Sequence, residues 1–476
     1  MSIGEIFDRH DAVGMAELVT KGEVSPLELT EEAIRRVERV NPLINAVTIE
    51  MFDHARERAK AGLPEGPFTG VPFVLKDLMG MYKGFPATNG SRLMKDFIAP
   101  FDNVFVQRLK AAGFNIIGKT NVPEGGYTVS TEPDLFGPTR NPWNPDHVAG
   151  GSSGGSGAAV AARAVPIGSA NDGGGSIRIP ASNNGLVGLK PTRGRITLAP
   201  ELADAWNGCV VQGCVSLSVR DTAAFFDAVG GAQLGDPYPT PMPQTPYLEQ
   251  LKTPPKQLKI GMMLDPPEGE VDPAVLDSLE QTAKLLEGLG HTVEDARIDY
   301  DHKAAAGSFG RMLMVQAAFE ISMMEQAVGR KAGPDDLMPV TADMVAYGRS
   351  IAAVDYARDV ETMRKCGRQI QQSCSRYDVW LTPVMLHRPR KIGYFSFRTN
   401  TMAEANRRAA ADIPFTVLFN ISGQPAISLP LSMSGDGLPV GVQLAGPYGG
   451  EGLLLQLARQ IEEAQPWRDR VPEIHA

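Results

Sequence analysis

The sequence predicts an α/β fold built around a largely buried sheet. Short apolar runs alternate along the chain with segments of helical periodicity. One stretch, residues 258–298, reads strand, helix, strand as a βαβ-like unit. Composition agrees, because 43% of the 476 residues are apolar and 21% are charged, the balance of a chain that folds around a core. The length allows one large domain or two to three ordinary ones.

The elements follow in chain order. Ser25, Pro26 and Glu28 read as a capping box with proline at the first helical position. Leu29, Ala33, Ile34 and Val37 then recur at helical spacing, and Asn41-Pro42 is expected to end the helix. Residues 71–75 read as a buried strand that delivers Lys76 at its C-terminal end. Residues 104–112 read as a helix, and 114–117 as a strand ending at Gly118-Lys119. A helix over 158–164 and a strand over 165–169 come next. Residues 231–256 carry seven prolines, too stiff and donor-poor for regular structure, and read as a long surface connection. The βαβ-like unit then places strands at 258–263 and 292–298 around a helix at 273–289.

The segment 312–344 holds Met312, Met314, Met323, Met324, Met338 and Met344. Methionine suits either a core or the wall of an adaptable apolar pocket. Residues 379–381 and 426–431 read as late buried strands. The final helix, residues 450–464, is periodic in Leu454, Leu457, Ala458 and Ile461, and is a candidate pairing surface for a homodimer.

Charge and cysteine content exclude several classes. Lys plus Arg is 46 and Asp plus Glu is 55, a formal net charge of −9. Without a long basic run, nucleic acid is not an expected partner. No stretch approaches the roughly 18 apolar residues of a membrane span, and the first ten residues mix charges where a secretory signal would be apolar. Cys209, Cys214, Cys366 and Cys374 form no CxxC pair and have no histidine at ligand spacing, so neither a zinc site nor a disulfide scaffold is expected. Four free thiols fit a reducing cytoplasm, which is the expected location.

The chemistry is expected where glycine is dense. Twelve glycines fall between Gly150 and Gly194. Residues 150–154, Gly-Gly-Ser-Ser-Gly, satisfy the G-x-S-x-G nucleophile elbow, a weak signal in a chain with 50 glycines. His291, His302 and His387 stand in no obvious loop context for such a serine. A phosphate loop is disfavoured because no Gly-Lys-Ser/Thr follows the glycines. Downstream, Gly173, Gly174 and Gly175 precede Ser176 without side-chain obstruction, so their N–H groups can converge on one developing oxyanion. The loop runs into Ile177-Arg178-Ile179-Pro180, which points to burial. A serine nucleophile needs a base, and a lysine serves if desolvation keeps it neutral. Which lysine does so, and whether the loop is catalytic or a plain glycine turn, these residues leave open.

The motifs together resemble the amidase signature family. The resemblance rests on residues 150–155 (GGSSGG), 172–178 (DGGGSIR) and 188–192 (GLKPT). It extends to 70–77 (GVPFVLKD), 118–121 (GKTN), 137–143 (GPTRNPW) and 420–426 (NISGQPA). It covers nearly the whole chain and is densest from Gly70 to Thr192. It implies a large mixed, twisted sheet covered by helices on both faces. It also implies one amidase signature domain over 1–476, with a signature core at about 66–196 and a variable, substrate-shaping region at about 231–400.

By that resemblance, Lys76 is the base, Ser152 the bridging serine with a cis peptide, and Ser176 the nucleophile. The N–H groups of Gly173, Gly174, Gly175 and Ser176 form the oxyanion hole, and Ser130, Asp172 and Arg178 hold the loops. No metal or organic cofactor is implied. The activity implied is amide C–N hydrolysis on a small-molecule or oligomeric amide, with carbamate cleavage as an alternative. A glutaminase subunit of a tRNA-dependent amidotransferase fits less well, because residues 196–200 (ITLAP) replace the Tyr- and Ser-containing stretch expected there. The triplet Gly173–Gly175, with Asn171, residues 192–195, residues 415–420 and Pro466-Trp467, looks like the subgroup that includes 6-aminohexanoate cyclic-dimer hydrolases.

Overall fold

The computed structural model describes residues 2–267 and 269–476. Its strands are β1 (Val47–Glu50), β2 (Pro72–Lys76), β3 (Asn115–Thr120), β4 (Arg140–Asn141), β5 (Asn144–Val148), β6 (Ile167–Asp172), β7 (Val187–Lys190), β8 (Val211–Ser216), β9 (Lys259–Met262), β10 (Thr292–Asp295), β11 (Val379–Pro383), β12 (Ala426–Met433) and β13 (Pro439–Ala445). Eleven of them form one sheet in the order β1-β3-β2-β6-β8-β7-β12-β13-β11-β9-β10, and β4 and β5 pair separately. The large sheet is mixed: β2 lies parallel to β3 and β6, whereas β6, β8, β7, β12 and β13 alternate antiparallel.

Every residue of β2, β3, β6, β7, β8, β11 and β13 is buried, so both faces of these strands are covered. At the edge, β10 is largely exposed and, among the described residues, pairs only with β9. The α/β architecture read from the sequence is the one observed. The βαβ unit holds as well: β9 and β10 pair in parallel across the helix Pro273–Gly288.

Several boundaries differ, each for a physical reason. The helix capped by Ser25 and Glu28 runs Pro26–Ile44, with Pro42 inside it. Proline is tolerated there because the last turn is closed otherwise: Asn45 N–H reaches the Asn41 carbonyl at 2.8 Å, and Asn41 Oδ1 accepts from Ala46 and Val47. The helix expected over 158–164 is Gly154–Ala161, so the second half of the glycine run is its first turn. Gly155 is needed at that point, because a Cβ there would lie 2.5 Å from the Asn121 backbone nitrogen. The strand expected over 165–169 is β6, which runs on to Asp172. The second strand of the βαβ unit stops at Asp295 rather than 298. The proline-rich connection holds a single turn, Tyr247–Gln250, pinned where Asp227 accepts the Tyr247 and Leu248 N–H groups.

The final helix, Glu451–Ala464, corrects an expectation. Leu454, Leu455, Leu457, Ala458 and Ile461 are buried in the main core, so its apolar face is used within the chain and offers no pairing surface for a homodimer. Among the described residues, no helix is long and apolar enough to cross a membrane.

Candidate active site

Strand β2 carries Lys76 to the end of a fully buried run. Its backbone N–H donates to Ser169 Oγ on β6 at 2.6 Å, which locks the two strand ends together. The side chain points into the protein, where Nζ lies 2.8 Å from Ser152 Oγ and 2.6 Å from Asn171 Oδ1. Burial pushes the Lys76 amine well below its ordinary value, and the charge of Asp172 opposes that shift only in part. Asp77, the next residue, is paired instead with buried Lys119, and receives the N–H and hydroxyl of Thr88.

Ser152 lies in the turn before the helix Gly154–Ala161, and the Gly151–Ser152 peptide is cis. Gly151 is obligatory by space: a Cβ would stand 2.6 Å from the Ser130 backbone nitrogen. The Ser130 main chain thus packs directly against this turn, and its buried hydroxyl bonds to no described residue. Thr131 ties the same turn, donating to the Gly150 carbonyl at 3.0 Å and accepting the Gly154 N–H at 3.2 Å.

Ser176 sits in the loop between β6 and the helix Arg178–Asn184. The loop is shaped by Asp172, whose carboxylate accepts the N–H groups of Gly175 (2.8 Å) and Ile177 (3.1 Å). Arg178 closes on it through two further bonds of 3.0 and 2.9 Å, and Asn420 through one of 2.8 Å. Charge and hydrogen bonds from Arg178 outweigh desolvation and hold Asp172 well below the usual carboxylate range. Arg178 is itself anchored by the Thr416 carbonyl, Gln443 and Asn420. Asp172 and Arg178 thus bind each other and, through Asp172, the backbone of this loop.

The glycine loop before Ser176 departs from expectation at one position: Gly175 is expected among the oxyanion donors, but its N–H is already given to Asp172. The N–H groups of Gly173, Gly174 and Ser176 make no hydrogen bond to a described residue and remain available.

Ser176 lies where two cavities meet, together with Gly126 and Trp206. The first, about 230 Å³, also exposes Ser152, Asn171, Glu320, Met323 and Met324. The second, about 290 Å³, is walled by Gly174, Phe309, Leu313, Val417 and Ile421. The methionine-rich segment therefore divides: Met323 and Met324 face the cavity, whereas Met312, Met314, Met338 and Met344 pack in the core. The walls are not confined to residues 231–400, because Leu78, Met94, Leu202 and Val417 contribute from outside that stretch.

No histidine serves the serines. His291 bonds the Leu258 N–H and Gln460, and His387 pairs with Asp412. His302 lines the second cavity and makes no hydrogen bond to either serine. This leaves Lys76 as the one titratable group bonded to Ser152 among the described residues.

Sequence reasoning missed several residues. Asn171 and Asn420 lay within stretches already noted, yet nothing marked their amides as ligands of Lys76 and Asp172. Glu320 carried no signal at all inside the 27-residue helix His302–Val328. It accepts from Tyr127 Oη at 2.6 Å and Trp206 Nε1 at 2.8 Å, and burial pushes its carboxyl up to about 7. A Cβ on Gly173 would lie 2.7 Å from the Trp206 ring, so the indole spans from the glycine loop before Ser176 to Glu320.

The amidase family model matches residues 28–455. A 6-aminohexanoate-cyclic-dimer hydrolase of Paenarthrobacter ureafaciens is 40% identical over 98% of this chain and 96% of its own. An acylamidase of Rhodococcus erythropolis is 33% identical over 97% and 96%. A solved 6-aminohexanoate cyclic dimer hydrolase complexed with substrate superposes with a TM-score of 0.94 at 39% identity, covering 98% and 99% of the two chains.

Proposed function

The chain belongs to the amidase family and is an amide hydrolase, and from that premise we propose that it works through an acyl-enzyme on Ser176. The observation that carries this reading is the buried Lys76 amine 2.8 Å from Ser152 Oγ, beside a cavity that Ser176 shares.

Lys76, neutral by burial, accepts the Ser152 hydroxyl proton while Ser152 takes the proton of Ser176. Ser176 Oγ attacks the amide carbon, and the N–H groups of Gly173, Gly174 and Ser176 receive the oxyanion. Collapse of the tetrahedral species breaks the C–N bond. The proton on Lys76 returns through Ser152 to the leaving nitrogen, so a neutral amine departs. Water then attacks the ester by the same relay, releasing the carboxylic acid and restoring Ser176.

The substrate class we propose is a linear or cyclic oligoamide or an aryl acylamide. The relatives named for a cyclic amide dimer and for acylamides support it, as do two largely apolar cavities meeting at one serine. We take the whole chain as one catalytic unit in the cytoplasm.

The test is mass spectrometry on a panel containing an oligoamide, its cyclic dimer, an acylanilide, an aryl carbamate and glutamine. Wild type cleaves an amide, Ser176→Ala cleaves none, and a slow substrate adds its acyl mass to the Ser176 peptide. Acyl mass on another residue would overturn the assignment.

A further inference from the structure

The Trp206 indole lines both cavities, as do Gly126 and Ser176. It presses on the glycine loop, where a Cβ at Gly173 would meet two of its ring carbons at 2.7 Å. It lies near parallel to the Tyr127 ring, at 21°, and edge-on to Phe309. The backbone under it is unusual: Trp206 has φ +51° and Asn207 has φ +54°. A bulky residue keeps that left-handed conformation only where its surroundings over-determine it.

The helix His302–Val328 supplies the constraints. Glu320 Oε1 accepts the indole N–H at 2.8 Å, the one hydrogen bond of that group among the described residues. One turn earlier, Gln316 donates to Tyr356 Oη at 2.7 Å, and the same oxygen receives Asn207 Nδ2 at 2.9 Å. The second Glu320 oxygen, Oε2, accepts from Tyr127 Oη at 2.6 Å. Tyr127 follows the turn that passes Ser152: a Cβ at Gly126 would lie 3.4 Å from Ser152 Oγ. A single carboxylate thus ties the segment beside Ser152 to the segment beside Gly173, through donors 193 and 114 positions away.

We propose that Glu320 is a positioning residue for amide hydrolysis: it holds the Trp206 indole against Gly173, and so aims the Gly173 N–H at the oxyanion formed on Ser176. The inference rests on the amidase reading and goes beyond it, because Glu320 bonds to none of Lys76, Ser152 and Ser176. Without the carboxylate, the indole N–H and the Tyr127 hydroxyl lose their acceptor. The left-handed segment at 206–207 then relaxes away from the glycine loop. The Gly173 N–H serves the tetrahedral species more than the bound amide, so its displacement lowers kcat and spares KM.

The test compares Glu320→Leu, which keeps the bulk and removes both acceptors, with Glu320→Gln. The glutamine carbonyl accepts the indole N–H while its amide donates to Tyr127 Oη. Trp206 emission is isolated by subtracting the matching Trp206→Phe protein, because the chain holds four tryptophans. Glu320→Leu raises acrylamide quenching of Trp206 at least ~2-fold and lowers kcat on the best amide of the panel at least ~10-fold, with KM within about threefold. Glu320→Gln keeps the wild-type quenching and recovers kcat to within about threefold. Wild-type quenching in Glu320→Leu overturns the proposal. So does an equal kcat loss in the leucine and glutamine proteins, or a loss confined to KM. Where Glu320→Leu does not fold, Glu320→Asp, one methylene too short to reach both donors, is held to the same criteria. A wild type that cleaves no amide would instead overturn the amidase reading, and the quenching comparison still decides whether Glu320 holds the indole.

Discussion

The Asp172 carboxylate accepts the Gly175 N–H at 2.8 Å. This single bond explains why the three glycines before Ser176 are not equivalent. Gly175 is spent on shaping the loop, with φ at +136°, a conformation that disfavours any side chain. Gly174 has neither constraint, and a Cβ there would meet its nearest neighbours, Phe309 and Val417, at an ordinary 3.7 Å.

Gly174→Ala and Gly175→Ala are therefore expected to differ sharply. The Gly174 variant folds with stability within about 1 kcal/mol of wild type. Gly175→Ala drives a methyl to 2.6 Å from Ile179 and 2.8 Å from Thr416, and loses most activity together with several degrees of Tm. Thermal denaturation with parallel amide-hydrolysis rates checks both; equal behaviour of the two variants would show that this loop geometry is wrong.

Asp172→Asn leaves Arg178 buried opposite a neutral amide. Breaking a buried pair of this kind costs about 3–5 kcal/mol, and the loss should appear in urea unfolding at pH 7. The sign with pH follows from the depressed carboxyl. Wild type holds the stabilisation above the ordinary aspartate value of 3.8 and loses it as pH falls through the lower folded value. The gap between wild type and Asp172→Asn consequently narrows in acid.

In the proposed mechanism Lys76 acts as a base only when neutral. Its amine lies well below the ordinary 10.5, so kcat/KM climbs with pH and reaches its plateau well before that value. Lys76→Ala lowers kcat by at least ~100-fold. A pH–rate profile of wild type reads the midpoint directly, and a rising limb centred near 10.5 would contradict a desolvated base.

Met312 and Met323 lie on one helix with opposite duties. Met312 is fully buried, and Met312→Ala costs about 2–5 kcal/mol in chemical denaturation. Met323 faces the cavity, so Met323→Ala changes stability by less than ~1 kcal/mol but alters the ranking of amides by chain length in kcat/KM. An unchanged ranking would remove Met323 from the substrate wall.

Much of the fold and the site was legible because local rules reported it. The capping box at Ser25 and Glu28, the strand ending at Lys76 and the βαβ unit each depend on residues a few positions apart. Glycine density located the loops before Ser152 and Ser176, since close backbone approach leaves no room for a Cβ at Gly151 or Gly155. Helix and strand ends shifted wherever a distant partner substituted for a local stop, as Asn41 does beyond Pro42.

By itself the sequence determined the α/β class, the candidate residues and the chemistry they offer, because hydrophobic period, caps and motif residues act over short spans. Only the tertiary structure decided which groups meet. It alone made Asn171 the partner of Lys76, 95 residues apart, and Asn420 the partner of Asp172, 248 apart. It alone gave the Gly175 N–H to Asp172 and turned Glu201 and Glu320, 119 positions apart, into one cavity wall. Burial and hydrogen-bond partnership are properties of the packed chain, and they set which lysine is pushed below its ordinary value and which donor is free.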